Sequence, residues 1–261
     1  MIAAFRNNAI EVLSADPRFI AVLAAGSTAE GRDDRFSDLD LVLVVDDGVY
    51  EAVSAEKTAV AESLGTLLAD FTGEHVGEPR LLIGLYAVDE GDGILHVDLK
   101  FVRAADLTER VDDPVVLWER DECCGLVLAA SAAVWPAHPD QWFEDRIWVW
   151  LHYGAARLAR GERHEALVTI GWLRERVLGP LLARRAGVRQ RGLRHIEALE
   201  GAEALLEPTV SGLGPATLWS GLKAVAEAYR TLRADQPPAV LRTEAERRVM
   251  DYIDRWSQVD E

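Results

Sequence analysis

The sequence predicts an α/β domain built on a mixed sheet, followed by an all-α helical bundle, with the two meeting near residue 138. Three observations carry this expectation. Through residue 102, helical patterns alternate with apolar runs of strand length, the arrangement of an α/β domain. The stretch Trp135-Pro136-Ala137-His138-Pro139 then stops regular structure, because each proline lacks an N–H and restricts the residue before it. Beyond it, the periodic segments all have helical spacing. Domains 1–138 and 139–261 follow.

Taken in order, residues 1–14 predict a helix closed off at Asp16-Pro17. Phe19 to Ala25 and Leu39 to Val45 are apolar runs ending at Gly26 and at Asp46-Asp47-Gly48, strand length with turn punctuation. A long helical pattern runs from Val49 to Phe71. Arg80 to Val88 and Ile94 to Val102 then read as two strands joined by a hairpin loop at Asp89-Glu90-Gly91-Asp92-Gly93. In the second half, helices are expected over 142–160, 164–185, 194–206, 215–232 and 243–256, punctuated by Gly161, Gly187, Gly212 and Pro237-Pro238.

Composition sets the class. The chain is 49% hydrophobic, and its apolar runs are broken by charge well short of the roughly 18 residues a membrane span needs. A cytoplasmic protein without membrane or secretory segments is expected. Its two cysteines, Cys123 and Cys124, are adjacent, a spacing that rarely meets disulfide geometry, and a reducing compartment fits. Neither has an evident ligand set or neighbouring His, so both are expected to be small buried side chains. The net charge of -16 argues against general nucleic-acid binding. The charge is uneven: 27 acidic against 10 basic residues through position 140, and 17 against 18 after it. An acidic first half suits a divalent cation, and the arginines of the second suit polyanionic ligands.

The chemistry concentrates in Ala25-Gly26-Ser27-Thr28-Ala29-Glu30-Gly31-Arg32-Asp33-Asp34-Arg35-Phe36-Ser37-Asp38-Leu39-Asp40-Leu41. A Gly-Ser turn ends one strand and an Asp-x-Asp pair opens the next. Alternation puts Asp38 and Asp40 on one strand face and Leu39 and Leu41 on the other. Paired carboxylates repel unless a cation or proton joins them, and magnesium, a hard oxygen-seeking ion, suits two such ligands. Gly26 permits close backbone approach, and Ser27 with the amides after it can donate to phosphate oxygens. In His96-Val97-Asp98-Leu99-Lys100-Phe101, alternation buries Val97, Leu99 and Phe101 and sends His96, Asp98 and Lys100 to the opposite face, where Asp98 can join the pair.

These motifs resemble the signature of the DNA polymerase beta superfamily of nucleotidyltransferases, in particular the small-molecule-modifying branch that includes aminoglycoside and lincosamide adenylyltransferases. The resemblance covers about a hundred residues and extends to the placement of a helical domain after the catalytic one. It implies transfer of a nucleoside monophosphate, AMP from ATP, to a hydroxyl of a small acceptor of antibiotic type, with release of pyrophosphate and a resistance role. Asp38, Asp40 and Asp98 would hold magnesium, and Asp98 would ligate it or act as general base. Gly26, Ser27, Ser37 and Arg32 would bind the nucleotide. Many relatives carry Arg before the glycine corresponding to Gly31, where this chain has Glu30 and places Arg32 and Arg35 afterwards.

In the second half, aromatic residues at helical spacing (Trp142, Trp148, Trp150, Tyr153, Trp172) are expected mainly in a core. Trp148, His152 and Ala155 or Ala156 share one helix face. Some relatives draw their base from a glutamate here, which makes Glu144, Glu162 and Glu165 candidates. Arg174 and Arg176 are in reach of a triphosphate or lie on a solvated face. Two other functions compete: a toxin-antitoxin-like nucleotidyltransferase acting on a protein partner, and a catalytically inactive nucleotide-binding relative. A homodimer is compatible with the sequence.

Overall fold

The computed structural model describes residues 1–89 and 93–258. Helix α1 (Ile2–Ala15) leads into strand β1 (Phe19–Ala24), a single helical turn α2 (Gly26–Ala29) and strand β2 (Leu39–Val45). Two short helices, α3 (Tyr50–Ala55) and α4 (Lys57–Ser63), precede β3 (Thr66–Gly73), β4 (Glu78–Ala87) and β5 (Ile94–Val102), and then come β6 (Val115–Glu119) and α5 (Cys123–Ala129). The six strands form one mixed sheet in the order β3-β4-β5-β2-β1-β6. Only β2 and β5 run parallel; the other neighbours are antiparallel.

Alternation sets up two unequal layers. Leu39, Leu41 and Leu43 of β2 with Val97, Leu99 and Phe101 of β5 face α1, α3 and α4 and form the large core with Phe5, Leu13 and Val53. The opposite face carries a smaller cluster, with Ala21, Leu23, Val44, Val102, Leu107 and Cys124. Asp40 and Asp98 belong to that second face and keep partial access to solvent.

The helix expected from Val49 to Phe71 is split at Glu56 and ends at Ser63, and its last six residues, 66–71, belong to strand β3. Gly65 follows the helix end, where a Cβ would stand in tight contact 3.3 Å from the Phe5 ring. The edge position of β3 explains the misleading pattern. Paired only with β4 and exposed along much of its length, it lacks the clean alternation of a strand with one buried face. The strands flanking the expected hairpin pair as anticipated, Ala87 opposite Ile94, with Val88 N–H donating to the Gly93 carbonyl at 3.1 Å. Residues 90–92 of that loop lie outside the described residues.

Two compact units, Met1–Pro136 and Ala137–Glu261, divide the chain. The second consists of helices: α6 (Asp140–Ala159), α7 (Arg163–Leu173), α8 (Gly179–Arg185), α9 (Ala202–Leu206), α10 (Pro215–Asp235) and α11 (Thr243–Ser257). Between α7 and α8 the helix widens to a π turn over Arg174–Leu178, where Pro180 has no N–H to offer the carbonyl four residues back. The helix expected over 194–206 shrinks to a 3₁₀ turn and α9, because His195 and Gly201 adopt left-handed φ values of 60° and 72° that end a right-handed helix.

Of the aromatic residues expected in a core, Trp148 is fully buried, Trp142 and Trp150 are partly buried against the same core, and Tyr153 and Trp172 are exposed. Trp148 packs fully buried with Phe143, Ile170, Leu222 and Tyr229, whereas His152, one turn on, is exposed against the Tyr252 ring. The shared helix face of Trp148 and His152 is therefore split between interior and surface. Among the described residues no helix is long and apolar enough to cross a membrane.

Candidate active site

The parallel pairing of β2 with β5 sets Asp40 level with Asp98. In-register residues on neighbouring strands point to the same face about 5 Å apart, so the two carboxylates stand side by side. Asp38 lies just before β2, and its charge acts on Asp98. Burial pushes the Asp98 carboxyl above the ordinary carboxylate range; His96, whose Nε2 lies 2.9 Å from Asp98 Oδ1, acts in the opposite direction, and Asp38 adds to the rise.

The Gly26 turn is built onto this pair. Ala25 N–H donates to the Asp40 carbonyl at 3.0 Å. Gly26 has φ +58°, and a Cβ there would stand 2.0 Å from Asp40 Oδ2. Glycine is thus required both by the backbone and by the carboxylate lying against its Cα. Next to it, the hydroxyls of Ser27 and Thr28 are buried without a hydrogen-bond partner. A buried hydroxyl left unpaired costs about 1–3 kcal/mol. Thr28 was not among the expected site residues; its type gave no signal, and only its burial in the turn marks it.

The other expected nucleotide-binding residues serve the connecting loop. Arg32 is exposed and ion-paired with Glu30. Ser37 Oγ accepts from the Asp34 N–H at 2.9 Å and donates to Asp34 Oδ1 at 3.2 Å, closing a local turn. Asp38, Asp40, Asp98, Gly26 and Ser27 are gathered at one end of the sheet face; Arg32 and Ser37 make contacts within the connecting loop.

Lys100, two residues beyond Asp98, turns to Glu78, its Nζ 2.9 Å from Glu78 Oε2, while Arg80 Nε reaches Oε1 at 2.7 Å. The Arg80 hydrogen bonds, joined by Lys100 and opposed by burial, hold the Glu78 carboxyl down at about 2, from an ordinary 4.5. A lowered folded-state value means stability that is complete above about pH 4.5 and lost as pH falls toward 2. Arg80 and Lys100 are each 39% exposed, so solvent screening limits the group to about 1 kcal/mol. Glu78→Gln is expected to lower the thermal midpoint at neutral pH, with the difference from wild type closing between pH 4.5 and 2 in a melt series.

Of the glutamates of the second unit, Glu144 is fully buried and accepts hydrogen bonds from Trp148, Tyr229, Arg233 and the Arg242 N–H. Glu162 and Glu165 pair with Arg157. The first unit offers a donor set suited to a divalent cation: three carboxylates, with Asp98 facing a half-exposed imidazole and Gly26 set close against the Asp40 carboxylate.

No protein-family model matches the chain, and no curated protein matches it. Among solved structures it is similar to an aminoglycoside 6-adenyltransferase from Bacillus subtilis, at 16% identity and a TM-score of 0.32, over 99% of this chain and 95% of that one. It is also similar to a nucleotidyltransferase-like protein from Exiguobacterium sibiricum, at 13% identity and a TM-score of 0.26, over 99% of this chain and 75% of that one.

Proposed function

We propose that the protein is a magnesium-dependent nucleotidyltransferase that moves a nucleoside monophosphate, AMP from ATP, to a hydroxyl of a small molecule. The observation that carries this is the Asp40–Asp98 pair, level on adjacent parallel strands, with the Gly26 turn set against the Asp40 carboxylate. Paired carboxylates, a neighbouring third and two unpaired buried hydroxyls make one arrangement, suited to a metal-bound triphosphate.

In this reading Asp38, Asp40 and Asp98 hold the cation, which when bound neutralises triphosphate charge and favours ionisation of the acceptor hydroxyl. Ser27 and Thr28 donate their hydroxyl protons to phosphate oxygens. Asp98 accepts the proton of the acceptor hydroxyl as its oxygen attacks the α-phosphorus. The bond from α-phosphorus to the bridging oxygen breaks, and pyrophosphate leaves with that electron pair. His96 holds the Asp98 carboxylate in orientation through its 2.9 Å contact. Positioning and charge neutralisation supply most of the acceleration in such chemistry. The acceptor class, an aminoglycoside or lincosamide type, rests on the resemblance of the Ser37-Asp38-Leu39-Asp40-Leu41 motif.

Calorimetric titration with each NTP and magnesium, followed by mass spectrometry of an acceptor panel, tests the proposal. ATP binding that requires magnesium and a mass gain of one AMP on one acceptor are expected. Absence of binding by every NTP would sink it; binding without small-molecule transfer would shift the acceptor to a protein.

Gly26→Ala should lower transfer roughly 10²-fold, because the new methyl pushes the Asp40 carboxylate out of register. Gly31→Ala is the matched control. Gly31 has φ +64° but nothing within 4 Å of its Cβ position, so it incurs the same backbone strain without the collision and should retain transfer.

A further inference from the structure

A second group of reactive side chains in the first unit shares no residue with this site. Strand β6 ends at Glu119, and Asp121 and Glu122, both left-handed with φ 54° and 53°, fold the chain back into α5 at Cys123. Consecutive residues of a helix project roughly 100° apart, so adjacent thiols do not converge by default. Here Cys123 Sγ and Cys124 Sγ lie 3.7 Å apart, and with a Glu119 carboxylate oxygen the three donors fall within 4.8 Å of one another. Two thiolates on one tetrahedral zinc, each at about 2.3 Å, are about 3.8 Å apart. The spacing is that of a metal-ligand edge.

Glu119 is also held as a ligand is held. Its Oε2 accepts the Cys124 N–H at 2.8 Å and the Gly125 N–H at 3.1 Å. Hydrogen bonds of this kind orient ligating carboxylates, and they leave Oε1 for a metal. Cys124 is buried and Cys123 half-buried, which provides both a shielded wall and an entry path.

We propose that Glu119, Cys123 and Cys124 form a site for a soft divalent cation, zinc in the first instance, with three protein ligands and a fourth position open to water. Thiolate ligands select such ions over magnesium, so this site and the carboxylates of β2 and β5 take different metals. Loading exchanges the two thiol protons for zinc, with the protons released to solvent. Cys124 also belongs to the layer that packs on the second sheet face, so occupancy ties β6 to α5 and stabilises that layer.

The test uses the reduced full-length protein titrated with zinc against a chromophoric chelator, and with cobalt as a spectroscopic probe. One equivalent of zinc is expected to bind, with a thiolate-to-cobalt charge-transfer band and protection of Cys123 from maleimide. Cys123→Ser, at the half-exposed position, should abolish the band, and Glu119→Gln should weaken zinc at least about tenfold. Asp40→Asn should leave zinc binding unchanged, which separates this site from the proposed nucleotide site. Equal zinc affinity in Cys123→Ser and wild type, with both folded by circular dichroism, would overturn the proposal, as would a cobalt spectrum without thiolate charge transfer.

Discussion

Asp40→Asn is expected to lower nucleotidyl transfer on the order of 10³-fold, about 4 kcal/mol of transition-state stabilisation, with the fold intact. Asparagine keeps the shape of the side chain lying against Gly26, so the turn and the β2–β5 register have no reason to move. What it removes is one of three negative charges, in a cluster where the Asp38 charge already opposes ionisation of Asp98. A site assembled to hold a cation is electrostatically uncomfortable without one, so the thermal midpoint of Asp40→Asn should equal or exceed that of wild type in the absence of metal. Kinetics in saturating ATP and magnesium, paired with melts with and without magnesium, check both halves. Magnesium should raise the midpoint of wild type and leave that of the variant where it is. Undiminished transfer by the variant would remove Asp40 from the chemistry.

The parts of this site legible in the sequence were those controlled by short-range pattern. Strands β2 and β5 have the bounds their alternation predicts, because each has one fully buried face and sharp turn residues at its ends. That alone puts Asp40 and Asp98 on the polar face; that they stand level depends on the parallel pairing of two strands far apart in the chain. The parts that were not legible depend on tertiary contact. β3 carries Leu67-Leu68-Ala69 and Phe71 in an order that also suits a helix, and its strand state comes from β4. Thr28 differs from an ordinary turn threonine only in being enclosed. Cys123 and Cys124 lacked a partner in the linear sequence because Glu119 reaches them only through two consecutive left-handed residues, Asp121 and Glu122, a backbone path that sequence pattern does not reveal. Glu144, a candidate base on chemical type, is instead sealed within the second unit, a fact that only burial reveals.

That burial makes Glu144 a position where substitution should strongly harm stability. Its carboxylate is wholly inaccessible and accepts from Tyr229 OH at 2.6 Å, Arg242 N–H at 2.8 Å, Trp148 Nε1 at 3.1 Å and Arg233 Nη1 at 3.1 and 3.2 Å. Burial alone would raise its pKa, but these bonds together prevail and hold it below the ordinary glutamate value. Glu144→Ala leaves a buried hydroxyl, indole and backbone N–H unpaired and strips Arg233 of one of its two carboxylates, the other being Glu246 at 2.8 Å. Breaking a buried pair by removing one partner costs about 3–5 kcal/mol, and the surviving Glu246 contact places the expected loss near the lower figure. Glu144→Gln, which keeps the size and most acceptor capacity but loses the charge, should cost about 1–2 kcal/mol. Because the folded-state pKa is depressed, the wild-type advantage over Glu144→Gln is complete above the ordinary glutamate value and declines as pH falls through the lower one. Urea denaturation followed by near-ultraviolet circular dichroism, which reports on Trp148 and Tyr229, measures both losses. An alanine variant within 1 kcal/mol of wild type, on the scale of a single net hydrogen bond, would mean that water replaces the carboxylate without cost. The glutamine variant also bears on the catalytic question: folded and fully active, it confines Glu144 to structure and removes it from the candidate bases.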